Sequence, residues 1–448
     1  MDELTKSAGR FVAELRYDNL PFAAAETAMI GIADCASVIL LGLDEPVTSI
    51  VASGAPRSDD ANALWGKLRT TVDYAALLNA TSAHSLDYDD TSGESHPSAV
   101  LFPALLAAGE PFASGKDVIT AYVAGYEIWC ELVSRDRDKH HVKGFHPSGI
   151  FGSIGAAAAC ANLLRLNAEQ TSAALAIAAS MSAGLVANFG TMTKPFQLGR
   201  AAQSGVLAAQ MAARGMTAGL DALEHPGGFL LAFSPSGQVD RETAPRFGEA
   251  WRILTEGLNI KLYPVCYAAH RLINSALAMD GLAEGRIDAI RAIRVHLGKT
   301  QSQILRYRMP TDGLEAKFSA EFAVAAAIIA SNVGLRELDD TYVRRADVVK
   351  LMRCTQRIES HEVDPDQALF SPADWVEIEY DTGEVRTGPP VRFPLGHARN
   401  PVSDAKLWAK FEECTQARLD AAGRKALFGR LDQLHGLEKI SHLYDRTA

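Results

Sequence analysis

LLNATSAHSLDYDDTSGESHPSAVLFPALLAAGE, residues 77–110, sets an acidic loop between two apolar segments. Asp87, Asp89, Asp90 and Glu94 lead into His96. The flanks have the composition of buried helices, and carboxylates are almost never fully buried unless paired. Whatever such a loop pairs with has to come from elsewhere in the chain.

The rest of the chain is that of a soluble globular protein. Its 448 residues are 48% hydrophobic and 22% charged, enough for two or three domains. The net charge of -10 argues against nucleic acid or an anionic membrane as a partner. It leaves an anionic small substrate open, because a cleft can be locally basic. Cys35, Cys130, Cys160, Cys266, Cys354 and Cys414 show no C-x-x-C spacing and no zinc or iron–sulfur pattern. They read as inert core residues of a cytoplasmic protein without a signal peptide. Residues 172–190, SAALAIAASMSAGLVANFG, are long enough to suggest a membrane span. Their Ala, Ser and Gly content, with Lys194 close behind, predicts a closely packed core helix instead.

Residues 1–265 read as helices joined by short turns. AAAETAMIGIADCASVILLGL (23–43), GKDVITAYVAGYEIWCELVSR (115–135) and LGRAAQSGVLAAQMAARGM (198–216) repeat apolar residues at three- and four-residue spacing. Residues 266–394 change character. AIRAIRVHLG (289–298) and LMRCTQRIESHEV (351–363) read as strands. WVEIEYDTGEVRTG (375–388) reads as a hairpin turning at Asp381-Thr382-Gly383. EAKFSAEFAVAAAIIAS (315–331) is helical. Residues 395–448 are helical again, with Ser403 or Asp404 as a cap. The expected fold is mainly α, a large all-helical domain interrupted by a smaller α+β lid.

The loop itself has rivals to weigh. An EF-hand beginning at Asp87 would need Gly at 92 and Glu at 98, where this chain has Ser92 and Ser98. The magnesium motif of helical prenyl-diphosphate enzymes needs a second acidic cluster, and Asp339-Asp340 lies in the α+β part. A solvated, Asp-capped turn is the plain alternative. Context points away from it, because His and Lys recur where apolar helices open. KHHVKGFHPSGIFGSIGAAAA (139–159) puts His146 before a small-residue helix, where extra positive charge is disfavoured and a neutral imidazole suits a base. TMTKPFQLGRAAQSG (191–205) does the same with Lys194. NIKLYPVCYAAHRLINSAL (259–277) brings Lys261 and His270. GxxGxxG at 149–155 is no dinucleotide fingerprint, since no strand precedes it. His-Pro-Ser occurs twice, at 96–98 and 146–148.

Together these segments resemble the MmgE/PrpD family. Residues 79–110 carry the resemblance, with GYE (125–127), GFHPSGIFGSIGAAAA, TKPFQLGRAAQSG, KLYPVCYAAH, EAKFSAEFAVA and GHARNPVS following in the family's order. The family includes 2-methylcitrate dehydratase, cis-aconitate decarboxylase and iminodisuccinate epimerase. The resemblance implies a homodimer with its site between the helical domain and the lid, and neither metal nor organic cofactor. It implies catalytic roles for Asp87, His96, His146 and Lys194. It implies substrate contacts from Thr91, Lys261 and His270, with Asp89 and Asp90 supporting the loop. The expected activity is that of a lyase on a small di- or tricarboxylate, with dehydration of a 2-methylcitrate-like acid first. Epimerisation of an iminodisuccinate-like compound, decarboxylation of cis-aconitate and non-catalytic carboxylate binding are the alternatives. Where the family often has Tyr after K-F-S-x-x, this chain has Phe322.

Overall fold

A computed structural model describes residues 3–92, 95–136, 138–279, 286–367 and 369–445. Glu94 lies outside them. The first part is a set of helices, α1 (Leu4–Glu14), α2 (Phe22–Leu41), α3 (Pro46–Ser53), α4 (Val72–His84), α5 (Ser98–Gly109) and α6 (Gly115–Ser134). α7 (His140–Lys143), α8 (Pro147–Leu163), α9 (Ala168–Ser180), α10 (Thr193–Ala213), α11 (Phe229–Phe233) and α12 (Arg252–Thr255) follow. The lid holds α13 (His270–Leu277), α14 (Lys299–Ile304), α15 (Gly313–Ala316), α16 (Ala320–Ala330), α17 (Asp340–Val343) and α18 (Ala346–Cys354). The chain ends in α19 (Asp404–Thr415) and α20 (Ala421–Asp432).

Local chemistry starts these helices. Ser114 accepts from the Asp117 N–H while Asp117 returns the bond, a capping box opening α6. Asn167 and Gln170 do the same for α9. Pro147 occupies the first turn of α8, where its missing N–H costs nothing. Small residues then let α4, α8 and α10 pack closely. A methyl group at Gly199 of α10 would overlap the Leu77 carbonyl and Thr81 of α4. One at Gly205 would overlap Ala156 of α8. The glycines of the 149–155 repeat lie within α8, and two of them face the Trp129 ring of α6.

The lid is a four-stranded sheet in the order β4-β3-β5-β6 with helices against it. β3 (Ile290–Gly298) pairs parallel with β4 (Thr355–Ser360) and antiparallel with β5 (Trp375–Tyr380). β6 (Val385–Thr387) completes the predicted hairpin, with Gly383 at φ +82° in its turn. Alternation sends Ile293, Val295, Val376 and Ile378 into a core separate from that of the helical part. The change of core falls between Ile260 and Tyr263, a few residues before the expected boundary. Phe411, Leu427 and Leu431 of the C-terminal helices rejoin the first core.

Four local expectations change. A short hairpin, β1 (Ala61–Ala63) with β2 (Leu68–Thr70), interrupts the helical part. Residues 351–354 finish α18, so only 355–360 are strand. The helix expected over 315–331 breaks at 317–319, because Ser319 turns its hydroxyl to accept from the Phe322 N–H and starts α16 afresh. The helix expected over 172–190 ends at Ser180. Among the described residues, the helix long and apolar enough to cross a membrane is instead the one over 22–44, and its residues are mostly buried among other helices.

Candidate active site

The acidic loop connects α4 to α5, and its three aspartates, Asp87, Asp89 and Asp90, are buried. Asp87 takes a left-handed backbone, φ 53°, which Asp tolerates better than most residues. That turn points its carboxylate at two ammonium groups. Lys194, in the first turn of α10, approaches one oxygen at 3.0 Å. Lys261 approaches the other and also donates to the Asp87 carbonyl at 2.8 Å. Burial alone would raise the Asp87 carboxyl. Lys194 and Lys261 outweigh burial and hold it well below the usual carboxylate range.

His84, the last residue of α4, extends this chain of contacts. Its Nδ1 lies 2.8 Å from Asp89 and its Nε2 lies 2.7 Å from the Lys194 ammonium. An ammonium only donates, so Nε2 is the lone pair and Nδ1 carries the proton. Burial, aided by the Lys194 charge and opposed by Asp89, lowers His84 to about 3. The imidazole therefore stays neutral. Burial also opposes ionisation of Asp89, but His84 and His96 beside it hold the carboxyl well below its usual value.

Both His-Pro-Ser tripeptides open helices beside His84. His96 packs its ring 4.4 Å from that of His84, and His146 lies 6.4 Å away. The Ser148 hydroxyl of one tripeptide accepts from the His96 N–H of the other at 3.1 Å. His96 Nδ1 sits 3.0 Å from the Asp90 carbonyl and 3.0 Å from Asp89. His146 Nδ1 sits 2.6 Å from Gln197 Oε1, while the Gln197 amide donates to the Leu185 carbonyl. In each ring Nδ1 is the donor, which leaves Nε2 as the base. Burial is the largest influence on both and lowers both. Lys194 adds to it at His146, and Lys261 and Lys194 add to it at His96 against Asp89.

His96, His146 and Lys194 border a cavity of about 620 Å³. Thr91 and Asn259 line it too, cross-linked by a pair of backbone hydrogen bonds. Tyr267, Gln301 and Phe370 close it from the lid side. Cys266, expected in the core, is only partly buried and forms part of the wall. The other expected site residues stand back from the cavity. Asp87, Asp89 and Lys261 form the charged layer behind it. Asp90 faces away and accepts from the Ser98 N–H at 3.3 Å, and burial followed by Asp34 pushes its carboxyl well above the usual range. His270 is fully buried in the lid between Tyr263 and Tyr267, its Nε2 3.4 Å from the Val265 carbonyl. Burial, then the Lys261 charge, lowers it to about 3.

The model of the MmgE/PrpD N-terminal domain matches residues 6–242, and that of the MmgE/PrpD C-terminal domain matches residues 263–432. The chain belongs to the MmgE/PrpD family. It is 26% identical to cis-aconitate decarboxylase of Mus musculus over 402 residues, which is 86% of this chain and 81% of that protein. The Homo sapiens enzyme of the same name is 27% identical over 403 residues, covering 86% and 82%. That of Aspergillus terreus is 26% identical over 398 residues, covering 82% and 79%.

Within this MmgE/PrpD chain, Phe322 is buried in the lid core at the start of α16 and does not border the cavity. Sequence reasoning passed over His84, Gln197 and Lys317. Only His84 had a visible signal, a lone histidine ending an apolar helix against the acidic loop. His84, Asp87, Asp89 and His96 place donor atoms within 4.8 Å of one another, close enough for a metal ion. The contacts present argue against that use. Lys194 and Lys261 already engage both Asp87 oxygens, and Lys194 also engages His84. A divalent cation would have to sit against two ammonium charges.

Proposed function

We propose that this MmgE/PrpD protein is a lyase acting on a small di- or tricarboxylate by acid–base chemistry, with dehydration of a β-hydroxy acid of the 2-methylcitrate type first. One observation carries the reading. Two imidazoles that burial favours in their neutral form, each donating through Nδ1, flank an ion-paired ammonium on one wall of the cavity. A resting state with neutral bases and a charged acid suits a reaction that starts by removing a proton. His96 or His146 takes the proton from the carbon next to a carboxylate. Electron density moves onto that carboxylate, the C–O bond breaks, and the departing hydroxide leaves as water with a proton from Lys194. The imidazolium then loses a proton to solvent and the Lys194 amine takes one up, which restores both groups. Lys194, tethered by Asp87 and His84, also offers charge to the developing enolate-like carboxylate.

A second reading is favoured by the relatives, several of which are named cis-aconitate decarboxylases. Decarboxylation breaks a C–C bond to release CO2, and the carbanion left behind takes a proton from Lys194.

Proton NMR in D2O separates these chemistries. EDTA-treated protein would be incubated in turn with 2-methylcitrate, citrate, cis-aconitate and iminodisuccinate. A new vinyl proton from citrate, or collapse of the 2-methylcitrate methyl doublet to a vinylic methyl singlet, supports dehydration, and itaconate from cis-aconitate supports decarboxylation. Deuterium at an α-carbon on an unchanged skeleton means epimerisation. No change with any of them removes the substrate class. Turnover is expected to survive EDTA, because ammonium groups hold the carboxylate that a metal would need. His96→Ala and Lys194→Ala are each expected to lower kcat by about 10²–10⁴, the usual worth of a positioned acid or base. Activity of both variants within tenfold of wild type would sink the assignment.

A further inference from the structure

The lid contributes a third buried lysine to the charged layer. Lys317 lies between α15 and the Ser319 cap of α16, and it is 4% exposed. Its ammonium donates at 3.1 Å to the carbonyl of Ser85, the C-cap of α4. A helix C-terminus carries partial negative charge and suits a cation. Phe318, the next residue, faces the Lys194 ammonium with its ring at 5.3 Å. The Lys317 carbonyl accepts from the Cys266 N–H at 2.9 Å, which fixes part of the cavity wall.

Lys317 and Lys194 share a second, small pocket of about 10 Å³, with His84 and Asp87 on its other sides. Among the described residues, Lys194 alone borders both this pocket and the large cavity. The charged groups facing Lys317 are Glu45, from the turn before α3, Asp87, and the like charges of Lys194 and Lys261. No described carboxylate lies within ion-pair distance of it, since Lys194 and Lys261 engage Asp87. A buried ammonium without its own carboxylate is expensive to keep charged. Burial accordingly lowers Lys317 to about 8, against the pull of Glu45 and Asp87.

We propose that Lys317 is a positioning residue that sets, from across the small pocket, how tightly Lys194 holds its proton. The proposal rests on the reading of Lys194 as the acid and adds a second like charge to that of Lys261, which with burial already lowers Lys194 against the pull of Asp87. While Lys317 is charged, one more like charge presses on Lys194, which then gives up its proton more readily. When Lys317 loses its own proton, Lys194 becomes the weaker acid. The lid thereby governs chemistry performed by a helix of the other part of the molecule.

The test is a titration that needs no substrate. Protein labelled with 13C at the lysine ε-carbons would be titrated by NMR between about pH 6 and 11, with the Lys317 and Lys194 signals identified by their loss in Lys317→Arg and Lys194→Arg. The Lys194 midpoint should lie about half a unit or more higher in Lys317→Met than in Lys317→Arg, roughly a threefold difference in its acid dissociation. Lys317→Arg, charged throughout, should also put it below wild type. Equal Lys194 midpoints in the two variants would overturn the proposal. If the Met variant does not fold, the Arg variant decides alone, because a Lys194 midpoint no lower than wild type then counts against it. With an active substrate, the alkaline limb of kcat should move in the same sense. Absence of turnover with every acid tested would remove the proposed function and leave the Lys194 titration to decide this inference.

Discussion

Asp87 is one carboxylate answering two buried ammonium groups, and it reaches them only through a left-handed backbone. Removing its charge strands Lys194 and Lys261 without a counter-ion, and a broken buried pair costs about 3–5 kcal/mol. Asp87→Asn is therefore expected to lower unfolding free energy by about that amount in urea titration. An effect under about 1 kcal/mol would mean the lysines find other partners. The individual roles at this scale were only partly legible. Asp87, His96, His146 and Lys194 stand out as chemistry-bearing residues in turns that open or close apolar helices. Asp89 and Asp90 are adjacent and alike in sequence, yet one braces two imidazoles while the other caps α5. No local pattern separates them, because a one-residue step in the loop decides which neighbour each carboxylate meets.

Helix packing sets the spacing within the site. Lys194 meets His84 because α10 crosses α4 at close range, and Gly199 makes that approach possible. Gly199→Ala would press a methyl group onto the Leu77 carbonyl, a backbone atom that cannot rotate away. Overpacking of this kind costs about 1–3 kcal/mol. The variant is expected to unfold at a lower temperature and to lose kcat more than it raises KM, because the displaced pair acts in the reaction. Loss of thermal stability with full kcat would mean that the crossing does not control the pair. Gly205, packed on Ala156, sets the matching distance to α8 and its N-terminal His146. The two His-Pro-Ser tripeptides gain their meaning from these crossings. Each starts a helix, and the Ser148 hydroxyl of one holds the backbone of the other.

At the scale of the molecule, the charged layer makes folding depend on pH. His84 and His270 are lowered to about 3, and His96 and His146 are also lowered, from an ordinary value near 6.5. Below about pH 6.5 the unfolded chain binds protons at these histidines that the folded chain refuses. Stability should therefore fall as pH drops from about 6.5 toward 3, by up to about 1.4 kcal/mol per pH unit for each histidine held neutral. Asp87 and Asp89, held well below their usual values, add a further loss only below about pH 4. Urea unfolding at pH 7, 6 and 5 would measure the slope, and a flat profile would mean that these rings take up protons in the folded protein. The C-terminal helices are part of the same unit. Lys410 of α19 pairs with Asp34 of α2 at 2.6 Å and donates to the Tyr88 carbonyl in the acidic loop.

The sequence by itself determined the mainly helical class, the α+β insertion, the hairpin at Asp381–Gly383 and the family. Each of these follows from periodicity, turn chemistry or a run of motif residues, which are local properties. Tertiary structure decided which candidate residues share a wall. It placed His96, His146 and Lys194 on the cavity, set Asp87 and Lys261 behind it, and left His270 in the lid core. It also brought in His84 and Lys317, which lie 110 and 123 residues from Lys194 along the chain on opposite sides of it. The physical reason is that a buried charge is defined by its partners, and here those partners come from helices joined only by packing.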